Sequence, residues 1–377
     1  MKPLTPPLRP PPSDHTEWLP KPNNSAVNVM VVDDSLTVRT VFTRMVTSDA
    51  SLNLVATAST AETAIEQLAS FSVDVILLDL EMPGMGGIKA LPALIKASQG
   101  AKVLVVSSLT KAGAKQTLDA MALGAADTML KPRSGGFDEA YRLTLLSKIR
   151  ALGIGENTNT SAALPVNSQD CGIPLSTHRT AQKRPEIVAF GASTGGIHAL
   201  NIVLSTLPKK FDLPIVITQH LPASFVPIFA RQINDVSGRT TLVADEGTRI
   251  ERGMIAIAAG DAHMEFTRTG EIVYAKSSDK PAISGCLPSV DPMLSSLARV
   301  YDGRVLGVIL SGMGRDGVHG ASELAALGGT IIAQDAASSA VWGMPGAVTK
   351  AGLTSACLPP EEIANAIVFA AGSAAWK

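Results

Sequence analysis

The chain has 377 residues, of which 46% are hydrophobic and 17% charged, with 32 Lys+Arg against 33 Asp+Glu. At roughly 100–200 residues per domain this length predicts two or three domains, each with its own core, and the composition excludes a disordered chain. A net charge of -1 excludes the diffuse basic footprint of a non-specific nucleic-acid binder.

Three scattered cysteines (Cys171, Cys286 and Cys357) are too few for a disulfide framework or a thiolate zinc site, and they fit a reducing compartment. No apolar run is long enough for a transmembrane helix, and the N-terminus lacks the apolar core of a signal peptide. The expectation is a soluble, cytoplasmic protein.

Residues 1–26 hold eight of the 24 prolines and read as a disordered tail. Residues 27–150 alternate apolar strands with helices. Val27–Asp34, Val73–Pro83 and Ala101–Ser108 are apolar runs that lead into polar residues, at Asp33-Asp34, Asp79 and Ser107-Ser108. Between the first two, Thr60–Ser70 puts Ala61, Ala64, Ile65 and Leu68 on one helical face. Continuous apolar strands separated by helices predict a doubly wound parallel sheet. Residues 151–184 are polar and rich in Gly, Asn, Ser and Thr, which predicts a flexible linker.

Residues 185–377 return to the β/α rhythm, with buried strands expected at Glu186–Ser193, Leu213–His220, Arg304–Gly312 and Gly328–Asp335. Residues 241–290 show short alternating runs and Gly turns, which predict antiparallel β-hairpins inserted into this second α/β domain.

In the first domain Asp33, Asp34 and Asp79 end strands, Ser107 and Ser108 end a third, and Lys131 precedes Pro132. A parallel sheet gathers the carboxyl ends of its strands at one edge. Carboxylates there make a hard-oxygen site suited to Mg²⁺ and phosphate oxygens, and a carboxylate can attack phosphorus once the charge is neutralised. In this order and spacing the residues resemble the receiver domain of two-component response regulators. The resemblance implies that Asp79 is the phosphoacceptor. It implies that Asp33, Asp34, Asp79 and the backbone carbonyl of Glu81 surround Mg²⁺, and that Ser107 and Lys131 sense the phosphoryl group. Thr128 stands where many receivers carry an aromatic switch residue.

In the second domain Val188–Leu200 runs from a strand through a Gly-flanked serine into a helix, so Ser193 sits beside free helix N–H groups. One reading of this turn is a dinucleotide cradle. It wants an acid at the end of the next strand and a Tyr-x-x-x-Lys; the strand ends in Gln219-His220, and no tyrosine has that partner. The other reading is a nucleophilic serine, with a base at His220 and an orienting acid at Asp316, each following an apolar strand. The remaining histidines lack such positions. His198 is expected to pack or face solvent, His263 to line a cleft, and His319 to lie on a helix; His15 and His178 fall in tail and linker.

Gly191–Gly196 (GASTGG), Gln219–Pro222, Ser289–Ala298 (SVDPMLSSLA), Gly312–Gly317 (GMGRDG) and Ala333–Pro345 then resemble the chemotaxis methylesterase family, CheB. Leu221 and Ile197-His198 depart from the commonest family pattern without removing a catalytic group. The resemblance implies a catalytic triad of Ser193, His220 and Asp316, with an oxyanion site made by the backbone N–H groups of Thr194 and Met313. It implies hydrolysis of glutamyl methyl esters on methyl-accepting chemotaxis receptors, glutamine deamidation in some members, and no cofactor for the ester chemistry. The expected phosphodonor is a CheA-type histidine kinase. No nucleic-acid partner or direct membrane insertion is expected, and one receiver and one esterase per chain fit a monomer. A non-catalytic docking protein is the alternative reading, and a DNA-binding output lacks a basic helical module.

Overall fold

Buried β-branched runs build two parallel sheets. In the computed structural model residues 26–107, 111–132, 136–153 and 183–372 are described. The Pro-rich tail and most of the expected linker therefore lie outside the described residues, as do Ser108, Cys171, His15 and His178.

The first sheet has the order β2-β1-β3-β4-β5, parallel throughout. Its elements run β1 (Val27–Val32), α1 (Leu36–Thr47), β2 (Leu52–Ala58), α2 (Ala61–Gln67), β3 (Val75–Asp79), α3 (Gly87–Ala97), β4 (Lys102–Ser107), α4 (Lys111–Ala122), β5 (Asp127–Leu130) and α5 (Glu139–Gly153). Alternate strand residues feed opposite layers. Val29, Val31, Val75 and Leu77 pack under α1 and α5. Met30, Val32, Ile76 and Leu78 pack under α2, α3 and α4. Ser35 and Thr60 start α1 and α2 by accepting hydrogen bonds from backbone N–H groups inside each helix.

The second sheet starts with β6 (Ile187–Ala192), α6 (Gly196–Thr206), β7 (Ile215–Gln219), α7 (Val226–Ser237), β8 (Thr241–Ala244) and β9 (Ile255–Ala258). A hairpin follows, β10 (His263–Thr269) and β11 (Ile272–Ser278). The chain closes with α8 (Val290–Val300), β12 (Val305–Ile309), α9 (Val318–Ala326), β13 (Thr330–Gln334), α10 (Met344–Lys350), β14 (Ala356–Leu358) and α11 (Pro360–Ala370). The order β14-β13-β12-β6-β7-β9-β8 is parallel throughout. Helices cover both faces: α6, α7 and α11 on one, α8, α9 and α10 on the other.

One expectation needs correction. Within residues 241–290 the antiparallel hairpin is β10–β11, with Arg249 bridged antiparallel to Tyr274 at its side. β8 and β9 instead extend the parallel sheet, in register from Thr241↔Ile255 to Ala244↔Ala258. Ile255–Ala258 is wholly buried, sandwiched between helices and the hairpin layer, so its Gly turns are crossover ends and not hairpin tips.

The two sheets share apolar packing. Helix α4 of the first lies against α6 and α7 of the second, and one continuous buried cluster spans both units. No helix among the described residues is long and apolar enough to cross a membrane.

Candidate active site

Strands β6, β7 and β12 end together, and each hands over one polar residue. Ala192 pairs with Gln219 in the β6–β7 ladder. The next residues along, Ser193 and His220, are thus neighbours on adjacent strands, which stand about 4.8 Å apart. His220 N donates to Ala192 O (3.0 Å), Ser193 N donates to Ser311 O just past β12 (3.0 Å), and Gln219 Nε2 donates to Ser193 O (2.9 Å). The Ser193 backbone is therefore tied to both flanking strands.

Two glycines permit this crowding. A Cβ on Gly312 would stand 2.8 Å from the Ser193 Cβ, and one on Gly195 would stand 2.5 Å from the Ala340 Cβ. Gly195 also has φ +78°, which favours glycine, and it turns the chain directly from Ser193-Thr194 into α6.

His220 Nε2 lies 2.8 Å from Asp316 Oδ2. Asp316 is buried and receives further hydrogen bonds from Ser289 Oγ (2.6 Å), Val290 N (2.8 Å) and Gly317 N (3.0 Å). Burial pushes its carboxyl up, but the bonds from His220, Ser289 and Val290 outweigh that and hold it down at about 2. Against an ionised carboxylate, Nε2 is the donating nitrogen, so neutral His220 keeps its lone pair on Nδ1. Among the described residues no hydrogen bond joins the Ser193 hydroxyl to His220, nor do the N–H groups of Thr194 and Met313 donate to any protein acceptor. Ser311 Oγ donates to Thr194 O (2.7 Å) and fixes that peptide.

Ser289 was not singled out from the sequence beyond its place in the SVDPMLSSLA stretch. It caps α8 by accepting from Asp291 N (3.2 Å) while donating to Asp316. A serine two residues before an acid at a helix start was the available signal. His263, expected to line a cleft, is buried, and its Nδ1 accepts from Ser289 N (2.9 Å). His319 is exposed and pairs with Glu323 at 3.2 Å.

The first unit reaches into this site. Thr194 Oγ1 donates to Asp127 Oδ2 at 2.7 Å, and Lys148 Nζ meets the same oxygen at 2.6 Å. Asp127 was missed from the sequence; its signal was a lone acid opening an otherwise apolar strand. Beside this contact lies a cavity of about 490 Å³ lined by Asp127, Thr128, Tyr141 and Lys148 on one side and His220 and Phe225 on the other. His198, expected to pack or face solvent, is exposed on α6 and meets Ala122 O through Nδ1 at 2.8 Å. Gln232 Nε2 donates to Leu118 O at 3.3 Å.

At the carboxyl edge of the first sheet, single ligand atoms of Asp33, Asp34 and Asp79 lie within 4.8 Å of one another. Lys131 Nζ stands 2.8 Å from Asp33 Oδ2 and 2.6 Å from Asp79 Oδ2. Burial pushes the Asp79 carboxyl up against the opposing pull of Lys131. Three carboxylates share this edge with the Lys131 ammonium as the cation paired to Asp33 and Asp79, so negative charge is left over and an oxygen-seeking cation fits there. Glu81 N donates to Asp79 Oδ1 (3.1 Å), and buried Ser107 Oγ lies 2.7 Å from Thr117 Oγ1.

Comparison with known sequences agrees with this layout. Residues 188–367 match the CheB methylesterase family, and residues 29–136 match the response regulator receiver domain. Among relatives, protein-glutamate methylesterase/protein-glutamine glutaminase 1 of Paramagnetospirillum magneticum is 42% identical over 369 residues, covering 92% of this chain and 96% of its own. Protein-glutamate methylesterase/protein-glutamine glutaminase 2 of Caulobacter vibrioides is 43% identical over 355 residues, covering 93% of this chain and 100% of its own. The crystal structure of the Thermotoga maritima CheB methylesterase catalytic domain is 34% identical and covers 49% of this chain and 98% of its own, with a TM-score of 0.48. With relatives matched along nearly their whole length, this chain belongs to the CheB methylesterase family, a receiver domain preceding a methylesterase domain.

Proposed function

We propose that this chain is a phosphorylation-activated protein-glutamate methylesterase acting on methyl-accepting chemotaxis receptors, with deamidation of receptor glutamines open to the same chemistry. The observation that carries the reading is the strand-end adjacency of Ser193 and His220, with His220 hydrogen-bonded to a buried, ionised Asp316.

In this reading His220 accepts the Ser193 proton as Oγ attacks the ester carbonyl. With Nε2 committed to Asp316, the accepting nitrogen is Nδ1. The tetrahedral oxyanion is held by the free N–H groups of Thr194 and Met313. Methanol leaves with the proton from His220, and water then releases glutamate from the acyl-enzyme. Asp316 holds the imidazole tautomer and stabilises the imidazolium.

In the receiver domain Asp79 is the proposed phosphoacceptor, with a CheA-type histidine kinase as donor. Asp33, Asp34, Asp79 and the Glu81 carbonyl would hold Mg²⁺, which supplies charge neutralisation for the incoming phosphoryl group. Lys131 and Ser107 flank Asp79 and would take up the phosphoryl oxygens. The unphosphorylated receiver restrains the esterase through its contact with Thr194, the residue after the nucleophile. The proposed units are a tail at 1–26, the receiver at 27–150, a linker at 151–184 and the esterase at 185–377, acting as a cytoplasmic monomer.

The test is methanol release from methylated receptor, with and without a small phosphodonor. Ser193→Ala is expected to lower the rate more than about a thousandfold. Equal rates would leave the non-catalytic docking reading in its place.

A further inference from the structure

The His220–Asp316 pair has a neighbour that ester hydrolysis does not use. Cys286, in the segment between β11 and α8, brings a thiol to it. One ligand atom each from His220, Cys286 and Asp316 lie within 4.8 Å of one another. The three donors differ in kind from the all-carboxylate cluster of the receiver. An imidazole nitrogen, a thiolate and a carboxylate form the mixed set that zinc takes tetrahedrally, with a fourth position for water.

The surroundings support such a site. Asp316 is oriented from behind by Ser289 Oγ, Val290 N and Gly317 N, the kind of outer shell that fixes a metal-binding carboxylate. Cys286 is half-buried, and together with Met313, Gly314, Arg315 and Asp316 it lines a cavity of about 600 Å³, which leaves room for a water ligand. Ligands placed 2.0–2.3 Å from zinc stand roughly 3.3–3.7 Å from each other. The His220–Asp316 contact at 2.8 Å must therefore widen by about half an ångström, and Cys286 must close by up to about one ångström.

We propose that Cys286, His220 and Asp316 form an inhibitory binding site for a thiophilic divalent cation of the zinc class. Coordination forms metal bonds to Sγ, to Nε2 and to the carboxylate. The thiol proton leaves to solvent, and the imidazole proton passes from Nε2 to Nδ1 by exchange with water. His220 then carries a proton on the nitrogen that would accept one from Ser193, so metal binding and ester hydrolysis exclude each other. The inhibition rests on the esterase reading; the binding does not.

Two measurements on the full, chelator-treated chain in Mg²⁺-containing buffer test this separately. Cobalt(II) serves as the spectroscopic probe. Wild type is expected to develop a thiolate-to-cobalt charge-transfer band saturating at one equivalent and bleached by zinc. Cys286→Ser, which retains Cys171 and Cys357, is expected to lack the band, and His220→Gln to weaken cobalt affinity at least about tenfold. If the serine variant does not fold, Cys286→Ala gives the same comparison. In the methanol assay zinc is expected to inhibit wild type reversibly by EDTA, and Cys286→Ser to raise the inhibitory midpoint at least about tenfold with its metal-free rate unchanged. No band in folded wild type, or an equal band in Cys286→Ser, overturns the site. A band together with zinc-insensitive hydrolysis overturns the inhibitory role. A band in a chain that never releases methanol sinks the esterase reading and leaves the metal site standing.

Discussion

Asp316 is a buried carboxylate surrounded by donors. Its depressed pKa is a statement about stability as well as chemistry. The carboxyl is held down at about 2 in the folded chain, below the 3.8 of an ordinary aspartate, so ionised Asp316 stabilises the fold at neutral pH by about 2 kcal/mol. The contribution is complete above pH ~4 and is lost as the pH falls through about 2, because protons then bind the folded and unfolded states alike. Asp316→Asn removes the titrating group. Its unfolding free energy is expected to fall less between pH 4.5 and 2.5 than that of wild type, by about 1.5 kcal/mol, measured by urea unfolding followed by circular dichroism. An identical fall in both chains would mean that the carboxylate is not held as described. Ser193, His220 and Asp316 were legible one by one because each follows an apolar run that can only be a buried strand. Ser289 and Asp127 were not, because they act on residues 27 and 67 positions away, and no local pattern encodes such partners.

Among the elements, β6 and α8 are pressed together at Gly191. A Cβ there would stand 2.5 Å from Val290 Cγ1 and 2.8 Å from its Cγ2, so the helix must move before even alanine fits. Val290 cannot move alone: its N–H is bonded to Asp316, and Ser289 beside it caps the helix and bonds the same carboxylate. Gly191→Ala is therefore expected to lose about 1–3 kcal/mol in urea unfolding, the usual cost of overpacking a filled core. A neutral substitution would show that α8 shifts freely. The long buried strands and the helices between them could be read from the sequence, since a parallel sheet covered on both faces writes itself as unbroken apolar runs. β8 and β9 could not. Each has four residues, β8 is only partly buried, and whether a short strand pairs parallel or antiparallel depends on a neighbour elsewhere in the chain. β14, three residues at the sheet edge, carries no usable periodicity at all.

For the whole molecule the question is what the receiver does to the esterase, and the contact between Asp127 and Thr194 gives it a physical form. An oxyanion site needs positive potential, yet the docked receiver sets a carboxylate 2.7 Å from the hydroxyl of the residue whose N–H would serve that site. Lys148 meets the same oxygen and offsets part of its charge. The rest of the interface, α4 against α6 and α7, joins apolar packing to the His198–Ala122 and Gln232–Leu118 hydrogen bonds and does not depend on this bond. A hydrogen bond to a charged group contributes about 1.5–3 kcal/mol, enough to shift a docking equilibrium by tenfold or more. Asp127→Ala is accordingly expected to raise basal methanol release without phosphodonor by roughly tenfold, up to the ceiling set by the activated wild type, and to shrink further stimulation by the same factor. Because the loss acts after phosphorylation in the causal order, the rise should persist in Asp79→Asn, which by itself should stay at the low basal rate. A basal rate unchanged by Asp127→Ala would move the restraint from this hydrogen bond to the apolar face of α4.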